Sequence, residues 1–203
     1  MIKQPASPSR EQIAILEPFC GLDLKDISVV SGPHEAQRAL EKLSQYHLIG
    51  FDTESRPTFR KDEVSQGPHI LQFSTLENAW IFQANCKDSI PAIIELLQSP
   101  GILKIGFGLK DDLKFITRKF GVEPQGIIDL NHSFKQLGHK NTIGAKTAIA
   151  MLFSQKLSKS KKTTTSDWSR PNLTEKQILY AANDSYAALR VYLALQNSAH
   201  ATP

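Results

Sequence analysis

The stretch Leu48-Ile-Gly-Phe-Asp52-Thr-Glu54 ends an apolar run in two carboxylates that are separated by one residue. The turn formers Arg56-Pro57 follow, and an apolar run bounded in this way predicts a buried strand. Because side chains alternate along a strand, Asp52 and Glu54 project from the same face. Two like charges at the end of a buried strand repel each other and lose hydration, which a divalent cation between them would relieve. The other interpretation is a pair of solvated turn residues.

The composition is that of an ordinary folded protein. The chain has 203 residues, of which 40% are hydrophobic and 22% charged, and this length suits one domain with a good core. The formal net charge of +4 is compatible with a polyanionic partner but does not demand one. Two cysteines are too few for a disulfide framework or a cysteine zinc site. The sequence shows no secretory signal and no membrane span, so we expect a cytoplasmic protein without membrane contact.

Hydrophobic periodicity and turn signals predict strands that come early and then alternate with helices. The predicted strands are 27–30, 47–53, 69–75, 80–83, 102–107 and 127–130, and the predicted helices are 33–46, 89–98, 109–120, 131–153 in two pieces, and 174–197. This order indicates an α/β fold with one mixed sheet flanked by helices. Residues 1–26 are expected to be peripheral, and 154–167, rich in Ser, Lys and Thr, is expected to be a loop.

The predicted helix 109–120 carries two adjacent acids, Asp111 and Asp112. Its apolar residues share one narrow stripe, and they are Leu109, Leu113, Ile116 and Phe120. At 100° per residue, Asp112 lies about 70° from the centre of this stripe, whereas Asp111 lies nearly opposite and faces water. Acids that only complement the positive helix end would explain Asp111 fully. For Asp112 this interpretation and a functional one both stay open.

The last predicted helix carries a carboxylate within its apolar stripe. Tyr180, Asp184, Ala187 and Val191 follow the spacing i, i+4, i+7 and i+11, so they share one face. A buried carboxylate needs a partner, and the hydroxyl of Tyr180 lies one turn away on the same face. A core tyrosine bonded to a structural aspartate is the other interpretation.

Four carboxylates from three separate elements are therefore candidate metal ligands: Asp52, Glu54, Asp112 and Asp184. Ligands that are all oxygen suit hard cations, Mg²⁺ or Mn²⁺, better than zinc or copper. Two such ions roughly 3.5–4 Å apart clamp the attacking and leaving oxygens of a phosphoryl displacement. Since tyrosine has a pKa near 10, Tyr180 is better suited to position a water by hydrogen bonding than to act as a full base.

At these residues the chain resembles the DEDD (DnaQ-like) 3′–5′ exonucleases, in the subclass with a tyrosine in its third motif. Phe51-Asp-Thr-Glu54 resembles the first motif, Gly106-Phe-Gly-Leu-Lys-Asp-Asp112 the second, and Tyr180-Ala-Ala-Asn-Asp184 the third. Trp168-Ser-Arg-Pro-Asn-Leu-Thr174 is similar to the segment before the third motif in the ribonuclease D and Werner-type branches. The three motifs occur in the expected order and spacing.

The resemblance implies a role for each motif residue. Asp52 would bridge two ions, Mg²⁺ or Mn²⁺, in each active site. Glu54 and Asp184 would hold the ion that activates water, and Asp112 would help to hold the other ion through water. Tyr180 would orient the nucleophile.

The resemblance also implies a ribonuclease-H-like fold and an enzyme that releases nucleoside 5′-monophosphates one at a time from a 3′ end. Residues 27–203 would form the exonuclease domain, and 1–26 would be an N-terminal extension of open role. The expected partner is nucleic acid with a single-stranded or frayed 3′ end. A non-catalytic nucleic-acid-binding module of the same fold is the main alternative, and a metal phosphohydrolase acting on small nucleotides is another.

Basic and aromatic residues near the motifs are candidate substrate contacts. Arg56 follows the first motif, and Lys161 and Lys162 belong to a basic cluster before Trp168. A solvated loop and a packed tryptophan are the other interpretations. Asp129, at the end of a predicted strand, is a candidate support of the site. The sequence leaves DNA and RNA open as substrates, because their discrimination depends on contacts to the 2′-hydroxyl.

Overall fold

The apolar runs of the sequence form the six strands of the central sheet in the computed structural model, which describes residues 7–58, 60 and 62–200. Residues 1–6 of the predicted extension and 201–203 of the predicted domain lie outside the described residues. The strands are β1 (Glu17–Pro18), β2 (Ile27–Val30), β3 (Leu48–Glu54), β4 (Ile70–Ser74), β5 (Ala79–Gln83), β6 (Leu103–Gly106), β7 (Ile127–Asp129) and β8 (Gln155–Lys156).

Helices follow the strands as the periodicity predicts. They are α1 (Arg10–Ala14), α2 (Pro33–Leu43), α3 (Ile90–Gln98), α4 (Lys110–Phe120), α5 (Leu130–Gln136), α6 (Ala145–Phe153), α7 (Lys161–Thr164) and α8 (Glu175–His200). At the start of α8, Thr174 and Gln177 exchange the two hydrogen bonds of a capping box. Gly121 ends α4 in the left-handed conformation, with a φ of 69°. Among the described residues, no helix is long and apolar enough to cross a membrane.

The predicted loop 154–167 is partly wrong, because it contains the short strand β8 and the single turn α7. Tertiary contacts order both elements. β8 pairs with β1 from the other end of the chain, and the indole Nε1 of Trp168 donates to the carbonyl of Thr164 at the end of α7, at 3.2 Å. Such contacts leave no periodic signal in the local sequence.

The central sheet is mixed, as predicted, with the strand order β2-β5-β4-β3-β6-β7. β3, β4 and β5 are antiparallel neighbours, whereas β2, β6 and β7 each run parallel to the strand beside them. β3 therefore lies inside the sheet, with β4 on one side and β6 on the other. Its last residues, which carry the first pair of carboxylates, extend past the end of its pairing with β6.

The two faces of β3 have different coverings. Ile49 and Phe51 point to one face and are fully buried in a core shared with residues of α2, α3 and α4. Gly50 points to the other face, which α8 covers. A Cβ atom added at Gly50 would lie only 2.0 Å from the carbonyl oxygen of Ser185. The absence of a side chain at this position therefore lets α8 lie directly on β3.

The described part of the predicted N-terminal extension packs against this domain. Phe19 and Leu22 join hydrophobic clusters that include residues of α8. The backbone N–H of Leu22 donates to the side-chain oxygen of Asn183 at 2.7 Å, and the amide of Asn183 donates back to the carbonyl of Leu22 at 3.1 Å. The segment before β2 is thus attached to the helix that carries the third motif.

Candidate active site

Three of the four predicted carboxylates meet where the end of β3 faces α8. Asp52, Glu54 and Asp184 each offer one carboxylate oxygen, and these oxygens all lie within 4.8 Å of one another. Asp52 and Glu54 share a face of β3 because side chains alternate, and the close approach of α8 over Gly50 brings Asp184 to them. Asp184 is only 4% exposed. This group of three is hereafter the acidic cluster.

Asp112 reaches the same end of β3 from the other face of the sheet. Its carboxylate accepts a hydrogen bond from the hydroxyl of Thr53, which points away from Asp52 and Glu54 because it lies between them. Burial raises the pKa of Asp112. The structure thus places Asp112 beside the acidic cluster without bringing it into the group of three. Its neighbour Asp111 is exposed, as predicted, and forms an ion pair with Lys114 at 2.7 Å.

Burial and mutual repulsion make the acidic cluster costly to ionise. Burial, and then the charge of Asp184, raise the pKa of Asp52 to about 8. Burial, and then the charge of Asp52, raise the pKa of Glu54 to about 9. Burial also raises the pKa of Asp184, although the ammonium of Lys159 opposes this rise. Closely spaced oxygen ligands of this kind fit a hard divalent cation, which would favour the ionised form of all three groups.

The hydroxyl of Tyr180 lies at the edge of the acidic cluster and stays protonated. Burial, and then the charge of Asp184, raise the pKa of Tyr180 above its usual value. The hydroxyl of Thr164 in α7 donates to Tyr180 Oη at 3.0 Å. The structure therefore holds the phenol as a neutral hydrogen-bonding group beside Asp184.

Trp168 is a packing residue in this structure. Its ring lies 5.8 Å from the ring of Tyr180, between centroids, and is 1% exposed. The predicted substrate contact of Trp168 is therefore corrected, because a buried ring has no surface on which a base could stack. Trp168 instead packs against the ring of Tyr180 and donates a hydrogen bond to the last residue of α7.

Lys159, a member of the same basic cluster of the sequence as Lys161 and Lys162, lies against the acidic cluster, and the sequence did not predict this contact. Its Nζ lies 2.7 Å from Asp184 Oδ2 and 5.6 Å from the centre of the Tyr180 ring. Burial alone would lower the pKa of Lys159, but the negative charge of Asp184 raises it above its usual range. In the sequence, Lys159 is one of several lysines in a polar segment, and only the buried Leu157 nearby indicates that this segment is anchored.

The predicted basic substrate contacts lie further out. Lys161 and Lys162 are exposed on α7, whose residue Thr164 contacts Tyr180. The guanidinium of Arg56 forms an ion pair with Glu63 at 2.9 Å.

Asp129 fixes the beginning of the helix that carries Asp112. Its carboxylate accepts hydrogen bonds from the backbone N–H groups of Gly108, Leu109 and Asn131, at 2.9, 3.0 and 2.9 Å. The first two belong to the turn that leads into α4, and the third belongs to α5. Asp129 therefore joins the end of β7 to the starts of both helices.

A partly buried cluster of carboxylates at the end of a central strand, beside a neutral tyrosine, has the ligand chemistry expected of the class of metal-dependent phosphoryl-transfer proteins. The comparison with protein families identifies the member of this class. A sequence profile described as 3′–5′ exonuclease matches residues 27–199, and the chain belongs to this family. The fold is accordingly ribonuclease-H-like, as predicted.

Two nucleases have sequences similar to this chain over more than three quarters of its length. The bifunctional 3′–5′ exonuclease/ATP-dependent helicase WRN of Mus musculus is 28% identical over 158 residues, which are 77% of this chain and 11% of that protein. Ribonuclease D of Pseudomonas paraeruginosa is 28% identical over 160 residues, 79% of this chain and 41% of that protein. The chain therefore spans less than half the length of either relative.

The fold is also that of solved exonuclease domains. The structure of the Nibbler EXO domain of Aedes aegypti is similar with a TM-score of 0.77, and the match covers 91% of this chain and 94% of that chain. The two sequences are 18% identical. At this level of identity, the likeness shows a shared fold.

Proposed function

We propose that this chain is a 3′–5′ exonuclease that hydrolyses phosphodiester bonds at the 3′ end of DNA or RNA and releases nucleoside 5′-monophosphates. The observation that carries the proposal is the meeting of Asp52, Glu54 and Asp184 within 4.8 Å beside the hydroxyl of Tyr180. Membership of the exonuclease family supports a nucleic-acid substrate. A structural neighbour, ribonuclease D of Trypanosoma brucei, was solved in complex with RNA U12 and has a TM-score of 0.71 at 18% identity.

The ligand set fits two ions, Mg²⁺ or Mn²⁺, on the carboxylates at the end of β3. When bound, such ions neutralise charge on the attacking and leaving oxygens of a phosphoryl displacement. Asp52 would contribute to holding both ions, as the resemblance of Phe51-Asp-Thr-Glu54 to the first exonuclease motif implies. Glu54 and Asp184 would hold the ion on the α8 side, and Asp112 would help to hold the other.

Tyr180 is assigned the positioning of the attacking water. Its pKa is raised, so the phenol keeps its proton and forms hydrogen bonds without acting as a base. The oxygen of the water forms a new bond to phosphorus and gives up a proton to solvent, while the bond between phosphorus and the 3′ oxygen of the preceding nucleotide breaks and that oxygen takes up a proton from solvent. This geometry leaves the phosphate on the released nucleotide, as a 5′-monophosphate.

Exposed cations beside the site would contact the backbone of the substrate. Lys161 and Lys162 lie in α7, the single helical turn whose last residue, Thr164, contacts Tyr180, and we assign them to phosphates near the 3′ end. Arg56 follows the acidic pair of β3 and would reach substrate after leaving its ion pair with Glu63. Such contacts weaken as salt concentration rises.

The proposal is tested by digesting 5′-labelled DNA and RNA oligomers of the same sequence, side by side, with Mg²⁺, with Mn²⁺ and with EDTA. We expect a ladder of shortening labelled products with either ion and intact oligomer with EDTA. The relative rates on the two oligomers give the sugar preference. Release of a labelled mononucleotide as the first product would reverse the proposed polarity. Intact oligomers under every condition, together with Mn²⁺ binding, would favour the non-catalytic module instead.

Paired variants assign the activity to this site. Asp52→Ala and Asp184→Ala should abolish turnover and keep the fold, and Tyr180→Phe should slow turnover while metal binding remains. Asp112→Asn should also lose activity, whereas Asp111→Asn, which changes the adjacent but exposed acid, should keep it. Near-normal turnover in Asp52→Ala or Asp184→Ala would refute the site.

A further inference from the structure

Lys159 directs a positive charge into the acidic cluster. Its ammonium nitrogen is 2.7 Å from Asp184 Oδ2, and its side chain is 28% exposed, against 4% for that of Asp184. The same nitrogen faces the ring of Tyr180 at 5.6 Å. Among the ion pairs of the described residues, this is the pair that reaches the cluster.

The backbone that leads into Lys159 is anchored by several contacts. Leu157 is 4% exposed and belongs to the cluster of α6 and α8. Before it, β8 pairs with β1, the N–H of Phe19 donates to the carbonyl of Lys156 at 3.0 Å, and the ammonium of Lys156 donates to the carbonyl of Ala14 at 2.8 Å. The ammonium of Lys159 is therefore delivered by a fixed segment, and the flexible part of the contact is its own side chain.

Lys159 and a divalent ion would compete for the carboxylate of Asp184. An oxygen that accepts the ammonium at 2.7 Å has one coordination direction filled. An ion held by Asp184 and its neighbours would stand within a few ångströms of the ammonium, and two cations at that separation repel strongly in a partly buried site. Occupation of the cluster by metal and by the lysine are therefore in competition.

We propose that Lys159 is a tethered counter-ion that occupies Asp184 until a divalent ion arrives, and that metal binding displaces its side chain. This inference extends the proposed function, because it concerns how the same acidic cluster receives its ion. It makes Lys159 a positioning residue that sets the metal affinity of the site.

The test is the affinity of the full chain for Mn²⁺ alone, measured by titration calorimetry and by the EPR signal of free Mn²⁺. Lys159→Met removes the charge and keeps most of the side-chain length, and we expect it to bind Mn²⁺ about tenfold more tightly than the unsubstituted chain. Lys159→Arg keeps the charge and should remain within about twofold. Lys114→Met, which breaks an exposed Lys–Asp pair of the same 2.7 Å length, should leave the affinity unchanged.

Because Lys159→Met could also change the stability of the fold, its melting temperature is measured with and without Mn²⁺. Without its counter-ion, the metal-free variant should melt at a lower temperature, and saturating Mn²⁺ should raise its melting temperature by more than it raises that of the unsubstituted chain. Equal or weaker Mn²⁺ binding by Lys159→Met, or an equal thermal shift, would overturn the inference while leaving the proposed function intact. Mn²⁺ binding that Asp184→Asn does not weaken would instead remove the metal site and the proposed function with it.

Discussion

Gly50→Ala tests whether the close packing of α8 on β3 builds the acidic cluster. The added methyl carbon would lie 2.0 Å from the carbonyl oxygen of Ser185 and 2.4 Å from Ser74 Oγ. The first obstacle is backbone, so it cannot be relieved by a change of side-chain rotamer. Since carbon and oxygen approach no closer than about 3 Å without bonding, α8 must withdraw from β3 by about 1 Å.

This displacement acts directly on the site, because Asp184 is the residue before Ser185, whereas Asp52 is two residues after Gly50. The acidic cluster would open by a comparable distance. A misplacement of about 1 Å in catalytic geometry costs on the order of 100-fold in rate. Overpacking of a buried position costs about 3 kcal/mol at the upper end of its range, which lowers the melting temperature of a domain of this size by about 6–12 °C.

The assay compares Gly50→Ala with Gly101→Ala, whose added methyl meets no atom within 4 Å. Circular dichroism melts give the stability, Mn²⁺ titration gives the metal affinity, and single-turnover digestion of a labelled oligomer gives the rate. We expect Gly101→Ala to match the unsubstituted chain in all three measurements. If Gly50→Ala melts and cleaves like the control, α8 does not rest on β3 as described, and its packing is not what positions Asp184.

Two further predictions concern charge and support. In EDTA, the free energy of unfolding should fall by about 4 kcal/mol as pH rises from about 5 to about 8, because the folded chain, with the pKa of Asp52 raised to about 8, binds more protons in this range than the unfolded chain. Urea denaturation at each pH should show a smaller fall in the free energy of unfolding for Asp52→Asn than for the unsubstituted chain. An equal fall in both proteins would contradict the assigned cause. Asp129→Ala leaves three backbone N–H groups without their acceptor and should destabilise the chain by about 2 kcal/mol. Asp129→Asn, which keeps one acceptor oxygen, should cost less in the same measurement, and equal costs would show that these hydrogen bonds are not what Asp129 contributes.

Local sequence rules were sufficient for the parts of the site that depend on one element. Strand alternation placed Asp52 and Glu54 on one face of β3, and helical spacing placed Asp184 in the buried stripe of α8. These rules work because the period of a strand or helix is a property of its own backbone. The same reasoning separated the half-buried Asp112 from the exposed Asp111.

Contacts between distant segments were beyond these rules. Lys159 reaches Asp184 because β8 is held by β1, and this pairing joins Glu17 to Gln155. The hydrogen bond from Thr53 to Asp112 likewise depends on α4 lying against the face of the sheet opposite α8. Trp168 could be read as a packing or a stacking residue, and its burial is decided by α7 and α8 together.

Packing holds the acidic cluster together, and we expect a bound ion to add to the stability of the fold. The small residues Ala181, Ala187 and Ala188 are almost fully buried on α8, so apolar contacts hold Asp184 against β3 even though its carboxylate is repelled by those of Asp52 and Glu54. The repulsion lowers the stability of the metal-free fold, and a cation that relieves it must therefore raise that stability. An ion present at about 100 times its dissociation constant adds about 2.7 kcal/mol to the free energy of unfolding. The melting temperature as a function of Mn²⁺ concentration therefore measures ion binding by the acidic cluster. If the melting temperature did not change with Mn²⁺ concentration, the acidic cluster would not hold an ion.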